Sequence, residues 1–323
     1  MSNASLRGPY ILEAKRKPAD LANFIRSDIE DFPSLILESG AVLFRGFDVR
    51  SAEDFQRFLD AIGGIPIDYT YKSTPRTRVS GNVFTATEYP SQLEIPLHCE
   101  NSYQKTWPMW ISLCCLKRAA QGGQTPIADM RRVTVAIAPE ILERFANRGV
   151  KYIRHYRPYV DLSWQDVFHT NDRDEVARFC EVNGIEYHWL DRETLRTEQT
   201  CQGVADHPIT GEKVFFNQAH LFHVSSLESR AAMDMISVFG RDRLPRDAKF
   251  GDDSEIARSD LETIRGTLAS AAVDIEWQEG DVALLDNMQF AHGRRSYRGE
   301  RRVLAALLNP YSPSRSIRQV AHL

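Results

Sequence analysis

The segment IPLHCENSY, residues 95–103, sets an imidazole and a carboxylate two positions apart, His98 and Glu100. Read as the end of an extended apolar run, it puts both side chains on one face of a strand, because alternate residues point the same way. Such a pair can share a metal ion, or it can be a simple hydrogen bond between ring and carboxylate. A third donor decides between the two. GDVALLDNMQFAHGRR, residues 280–295, carries an apolar strand into His292 and supplies one.

Two histidines and one carboxylate on a common face leave three coordination positions open. That arrangement suits Fe(II), because the open positions can take a bidentate co-substrate and O2 together. Zn2+ with a bound water fits the same donors by chemistry alone. Two further residues favour iron. Arg302, ten residues past His292 at the head of VLAALL, offers a planar fork for the distal carboxylate of a dicarboxylate; the plainer reading is a surface cation. Thr125, in GGQTPIAD (122–129), offers a hydroxyl to the same carboxylate, although G-G-x-T is also a common turn. Arg294, two residues past His292, is a candidate for a substrate carboxylate or for orienting Glu100. Asn82 and Thr85 offer polar contacts to a substrate, against the competing reading of turn and strand polar groups. His220 and His223 have no carboxylate or cysteine beside them and read as structural.

These residues need a scaffold. GAVLFRGFDV (40–49) reads as a buried strand, and Ser51 caps a helix whose Phe55, Phe58, Leu59 and Ile62 follow helical spacing, stopped by Gly63 and Gly64. WPMWISLCCL (107–116) and GVKYIRHYRP (149–158) are rich in β-formers. A polar insertion follows at about 160–205, with a helix in RDEVARFCEVNG. HPITGEKVFF (207–216) reads as a hairpin about Thr210-Gly211. Residues at about 224–270 read as helical at both ends around a loop, LPRDAKFGDDS, and 274–310 as further strands. Antiparallel strand groups flanking a helical insertion predict a mainly β, α+β fold: one domain over 1–323, a double-sheet jelly roll with helices on one side.

The composition is that of a globular protein, with 42% apolar and 26% charged residues in 323. A net charge of −4 argues against a nucleic-acid or anionic-membrane partner. MSNASLRGPY lacks the features of a signal peptide, no apolar run reaches a membrane span, and the five cysteines form no CxxC pair. The expectation is a cytoplasmic protein with a small-molecule substrate.

Taken together, GAVLFRGF, SGNVFTATEYP (80–90), LHCENSY, GGQTPIAD, FFNQAH (215–220) and the stretch from Gly280 to Leu307 resemble the taurine-dioxygenase-like, or clavaminate-synthase-like, Fe(II)/2-oxoglutarate dioxygenases. The likeness covers nearly the whole chain. It is closest to the syringomycin-type amino-acid hydroxylases of natural-product pathways, which share glutamate at the position of Glu100. The resemblance implies a double-stranded β-helix core. It also implies Fe(II) on His98, Glu100 and His292, 2-oxoglutarate held by Thr125 and Arg302, and Asn217 near the substrate. The expected reaction uses O2 and 2-oxoglutarate, releases succinate and CO2, and hydroxylates an unactivated C–H bond of an amino-acid-type substrate, free or carrier-tethered. Desaturation and cyclisation belong to the same chemistry. Halogenation is disfavoured because Glu100 fills the position such enzymes leave open. Taurine dioxygenase carries a second arginine where this chain has Ala306, which puts aminosulfonate oxidation in doubt. The readings from other classes are a zinc hydrolase on a similar barrel and a non-catalytic binding protein. Homo-oligomers are compatible with all of these.

Overall fold

Along VLAALL, which forms most of the Arg302–Tyr311 strand, successive side chains go to opposite layers. Val303, Ala305 and Leu307 pack with Leu113, Leu285 and Phe290, while Leu304, Ala306 and Leu308 pack with Phe55, Phe58 and Val42. A strand apolar on both faces must lie between two layers, and this one does. The computed structural model describes residues 8–15, 18–67, 71, 77–86, 89–158 and 160–313. The first seven residues of the N-terminal segment, and Thr87 and Glu88 of SGNVFTATEYP, lie outside the described residues.

The larger sheet has seven strands in the order Tyr10–Glu13, Ala41–Arg45, Val282–Asp286, Trp107–Lys117, Arg302–Tyr311, Val83–Thr85 and Arg78–Ser80. Facing it, a four-stranded sheet runs Val273–Ile275, Thr125–Asp129, Phe290–Arg294 and Ile95–His98. Together they make the two layers of the expected jelly roll. Helices Leu21–Asp28, Phe32–Ser39 and Ala52–Ala61 cover the outer face of the larger sheet. The last helix starts as its sequence dictates: Ser51 Oγ accepts from the Asp54 amide at 3.1 Å and Asp54 Oδ2 accepts from the Ser51 amide at 3.0 Å. Gly63 then takes φ +69° and turns the chain away.

The insertion is more mixed than its polarity suggests. Helix Arg173–Asn183 is present, but Glu186–Trp189 and Leu195–Cys201 are strands that join Val150–Tyr156 and Arg246–Phe250 in a further sheet. The last strand lies in LPRDAKFGDDS, which reads as a loop because Arg246 and Lys249 interrupt its apolar pattern. Ala248 and Phe250 are nonetheless buried, and five residues pair in register with Val150–Arg154. Strands Val204–Asp206 and Lys213–Phe215 form the hairpin around Gly211, at φ +70°. Among the described residues no helix is long and apolar enough to cross a membrane.

Candidate metal centre

His98 is the last residue of its strand and His292 the middle residue of Phe290–Arg294. The two are direct antiparallel partners. Side chains at such positions start only about 4.5–5.5 Å apart at Cβ, and here the ring centroids are 4.6 Å apart. Gly293 permits this closeness: a Cβ there would sit 2.5 Å from the Ile95 carbonyl oxygen. His98 Nδ1 donates to the Pro96 carbonyl at 2.9 Å, which leaves Nε2 as the nitrogen able to take a metal.

Glu100 completes the set by a different route from the one its spacing predicts. The strand ends at His98, so the carboxylate comes from the turn beyond, where Asn101 adopts φ +56°. Glu100 Oε2 lies 3.9 Å from His98 Nε2 and 3.8 Å from His292 Nε2, and one atom from each residue falls within 4.8 Å of the others. Neither histidine–glutamate distance is a hydrogen bond. Donors on one face of an ion with bonds of about 2.0–2.2 Å lie about 3 Å apart, so these three would draw together by about an ångström around a metal; since neither contact is a hydrogen bond, the set fits a metal better than a bonded ring–carboxylate pair.

Beside the three donors a pocket opens between the two sheets, walled by Ile95, Leu113, Val303 and Ala305. Thr125 lines it; Thr125 Oγ1 accepts from Trp277 Nε1 at 3.0 Å, so its own O–H remains available as a donor. Arg302 does not line it. Alternation puts residue 301 on the face of Val303 and Ala305, and Arg301 enters the pocket while Arg302 is exposed. A register shift between Arg302 and Val303 marks the change. Arg301 Nε donates to the Gly123 carbonyl at 3.0 Å. Among the described residues it forms no ion pair with a carboxylate. Burial, then repulsion from Arg294, pushes its pKa down to about 10. The position four residues further is then Ala305, also uncharged and in the pocket wall.

The remaining polar candidates are engaged elsewhere. Arg294 borders the pocket, but its Nη atoms donate to the carbonyls of Tyr89, Pro90 and Leu93 at 2.6–2.9 Å. It therefore holds the 89–93 segment rather than orienting Glu100. Asn82 sits in a turn against Gln56. Thr85 Oγ1 accepts from the Thr77 amide, on the opposite face of its strand from Phe84, which packs into the inter-sheet core. Asn217 is buried, donating to the Gly203 carbonyl and accepting from the Ala219 amide. His220 Nε2 donates to the Leu97 carbonyl, and His223 bonds Ser225, as structural histidines do. Sequence reasoning missed Asp286, whose Oδ1 accepts from the amides of Met288 and Gln289 and whose Oδ2 accepts from His207 Nε2 at 3.0 Å. It anchors the turn leading to His292. A larger cavity, ≈ 480 Å³, lies between Met130–Ala136 and Arg258–Ala271 and carries no comparable donor set.

Residues 6–308 match the family described as taurine catabolism dioxygenase TauD, TfdA. The dapdiamide synthesis protein DdaC of Enterobacter agglomerans is 37% identical over 280 residues, spanning 87% of this chain and 85% of that protein. A clavaminate synthase-like protein of Arabidopsis thaliana is 31% identical over 285 residues, 85% of this chain and 83% of its own. The crystal structure of PvcB from Pseudomonas aeruginosa has a similar fold, with a TM-score of 0.52 at 15% identity over 92% of this chain and 84% of that one. The chain belongs to the taurine catabolism dioxygenase TauD, TfdA family and is a dioxygenase of the Fe(II)/2-oxoglutarate type.

Proposed function

We propose that His98, Glu100 and His292 hold the iron, that Arg301 with Thr125 seats the distal carboxylate of 2-oxoglutarate, and that the enzyme hydroxylates an unactivated C–H bond of an amino-acid-type substrate. The observation that carries this reading is one pocket lined by two members of the three-donor cluster, His98 and His292, and by the desolvated Arg301 guanidinium. A zinc hydrolase would need the donors but not the cation. When bound, Fe(II) supplies oxidative decarboxylation of 2-oxoglutarate coupled to substrate oxidation, with succinate and CO2 released.

The chain's own part is placement and exclusion of water. The two strands hold the histidines on a rigid ladder, and His98 keeps its Nε2 lone pair forward through the Pro96 contact. Arg301 is fixed at Nε by Gly123, so its outer nitrogens face a dicarboxylate in one orientation. Thr125, fixed by Trp277, adds a hydroxyl donor. Ile95, Leu113, Val303 and Ala305 present apolar walls, which suit an alkyl chain between two carboxyl ends.

Similarity to a protein named for dapdiamide synthesis supports a biosynthetic substrate. Glu100 supports hydroxylation over halogenation, since the carboxylate occupies the position a halide would need. The test is a screen of amino acids, free and carrier-bound, scored by succinate release and product mass. A product heavier by one oxygen supports the proposal. A product lighter by two hydrogens moves it to desaturation or cyclisation.

A further inference from the structure

Glu100 stands in a turn, without the strand ladder that fixes the two histidines, and one side chain makes up for the missing neighbour. Asn287 is fully buried. Its Oδ1 accepts from the Glu100 amide at 2.7 Å, and its Nδ2 donates to the Glu100 carbonyl at 2.9 Å and to the Pro108 carbonyl at 2.8 Å. The carboxamide thus acts as a backbone peptide would in a paired strand, taking the donor and the acceptor of the same residue. With both peptide planes flanking Glu100 fixed, the direction of its Cα–Cβ bond is fixed as well. Asn287 itself is tied down, its amide donating to the Met109 carbonyl at 2.8 Å, and it lies five residues before His292 in the same segment.

We propose that Asn287 is a positioning residue for the metal centre: it aims the Glu100 carboxylate at the two histidines, so one segment supplies the third ligand and sets the second. The proposal rests on the metal reading above. Partners one step removed from a metal typically change its affinity about 10–100-fold when lost. A residue acting only through Glu100 has no effect once Glu100 is gone.

The experiment is Mn(II) titration followed by electron paramagnetic resonance, with thermal melting of the same metal-free samples. The proteins are wild type, Asn287→Ala, Asn287→Ser, Glu100→Ala, and Glu100→Ala combined with each Asn287 change. Gln199→Ala serves as a control, because that buried amide, on strand Leu195–Cys201 of the insertion, holds the Asn183 carbonyl at the end of helix Arg173–Asn183. The expected result is a Kd for Mn(II) raised about 10–100-fold by either Asn287 change, and no further rise when it is added to Glu100→Ala. Gln199→Ala should lower the melting temperature and leave the Kd unchanged. The serine variant keeps a small polar group in the site should the alanine variant fail to fold. Wild-type affinity in a folded Asn287 variant, or the same loss in the Glu100→Ala background, would overturn the proposal. Unchanged affinity in Glu100→Ala alone would instead remove the metal reading beneath it.

Discussion

Arg301 holds a positive charge in a largely desolvated pocket wall near a second guanidinium, and both features disfavour that charge. A dicarboxylate removes the penalty. Arg301→Ala should therefore weaken 2-oxoglutarate binding by about 2–4 kcal/mol, measured calorimetrically on the anaerobic Fe(II) protein, while Arg302→Ala leaves it unchanged. The reverse pattern would return the role to Arg302. Since the charged form persists below about 10, affinity should be flat from pH 7 to 9 and fall only as the pH rises through that value. The choice between the two arginines was not legible in the sequence: the strand is apolar on both faces, and alternation sets Arg301 with Val303 and Ala305 and Arg302 with Leu304 and Ala306 without saying which set lines the pocket. The three clustered donors were legible by residue type, whereas the engagement of Arg294 was not, since backbone carbonyls of 89–93 leave no mark in sequence.

The paired strands Ile95–His98 and Phe290–Arg294 bring the two histidines together, and at Gly293 they leave no room for a side chain. Gly293→Ala places a Cβ 2.5 Å from the Ile95 carbonyl oxygen and 3.3 Å from the Leu97 amide nitrogen. The strands must part, at a cost of about 1–3 kcal/mol, and the histidines part with them. Thermal melting should show the lost stability, and Mn(II) titration a weaker site; wild-type values in both would mean that the strands have slack. Arg294→Lys should free the 89–93 segment, because one ammonium cannot satisfy three carbonyls in the geometry of a guanidinium. Faster amide exchange confined to that segment is the expected signature. At this scale the core strands were readable from their apolar patterns. The Arg246–Phe250 strand was not, because partners distant in sequence, Val150–Arg154, decide its state.

Across the whole molecule, the packing that buries the centre also buries two histidines in neutral form. Burial pushes His220 and His223 down to about 4. Unfolding restores both to their ordinary value near 6.5, so the unfolded chain binds protons first as the pH falls. Stability should be unaffected above about 6.5 and decline between there and about 4, by on the order of 3 kcal/mol from His220 alone. Urea midpoints of the metal-free protein at pH 7 and 5 measure the decline, and His220→Gln, whose amide can still donate to Leu97, should reduce it. On the reading proposed above, His98, Glu100 and His292 would hold one iron per chain and Arg301 the far carboxylate of 2-oxoglutarate. The most direct test of that reading is the visible absorption of the anaerobic protein titrated with Fe(II) and 2-oxoglutarate. A weak charge-transfer band saturating at one iron per chain, absent in His292→Ala and needing far more 2-oxoglutarate in Arg301→Ala, is the predicted result. No band in the wild-type protein, or a band that persists unchanged in His292→Ala, would contradict it.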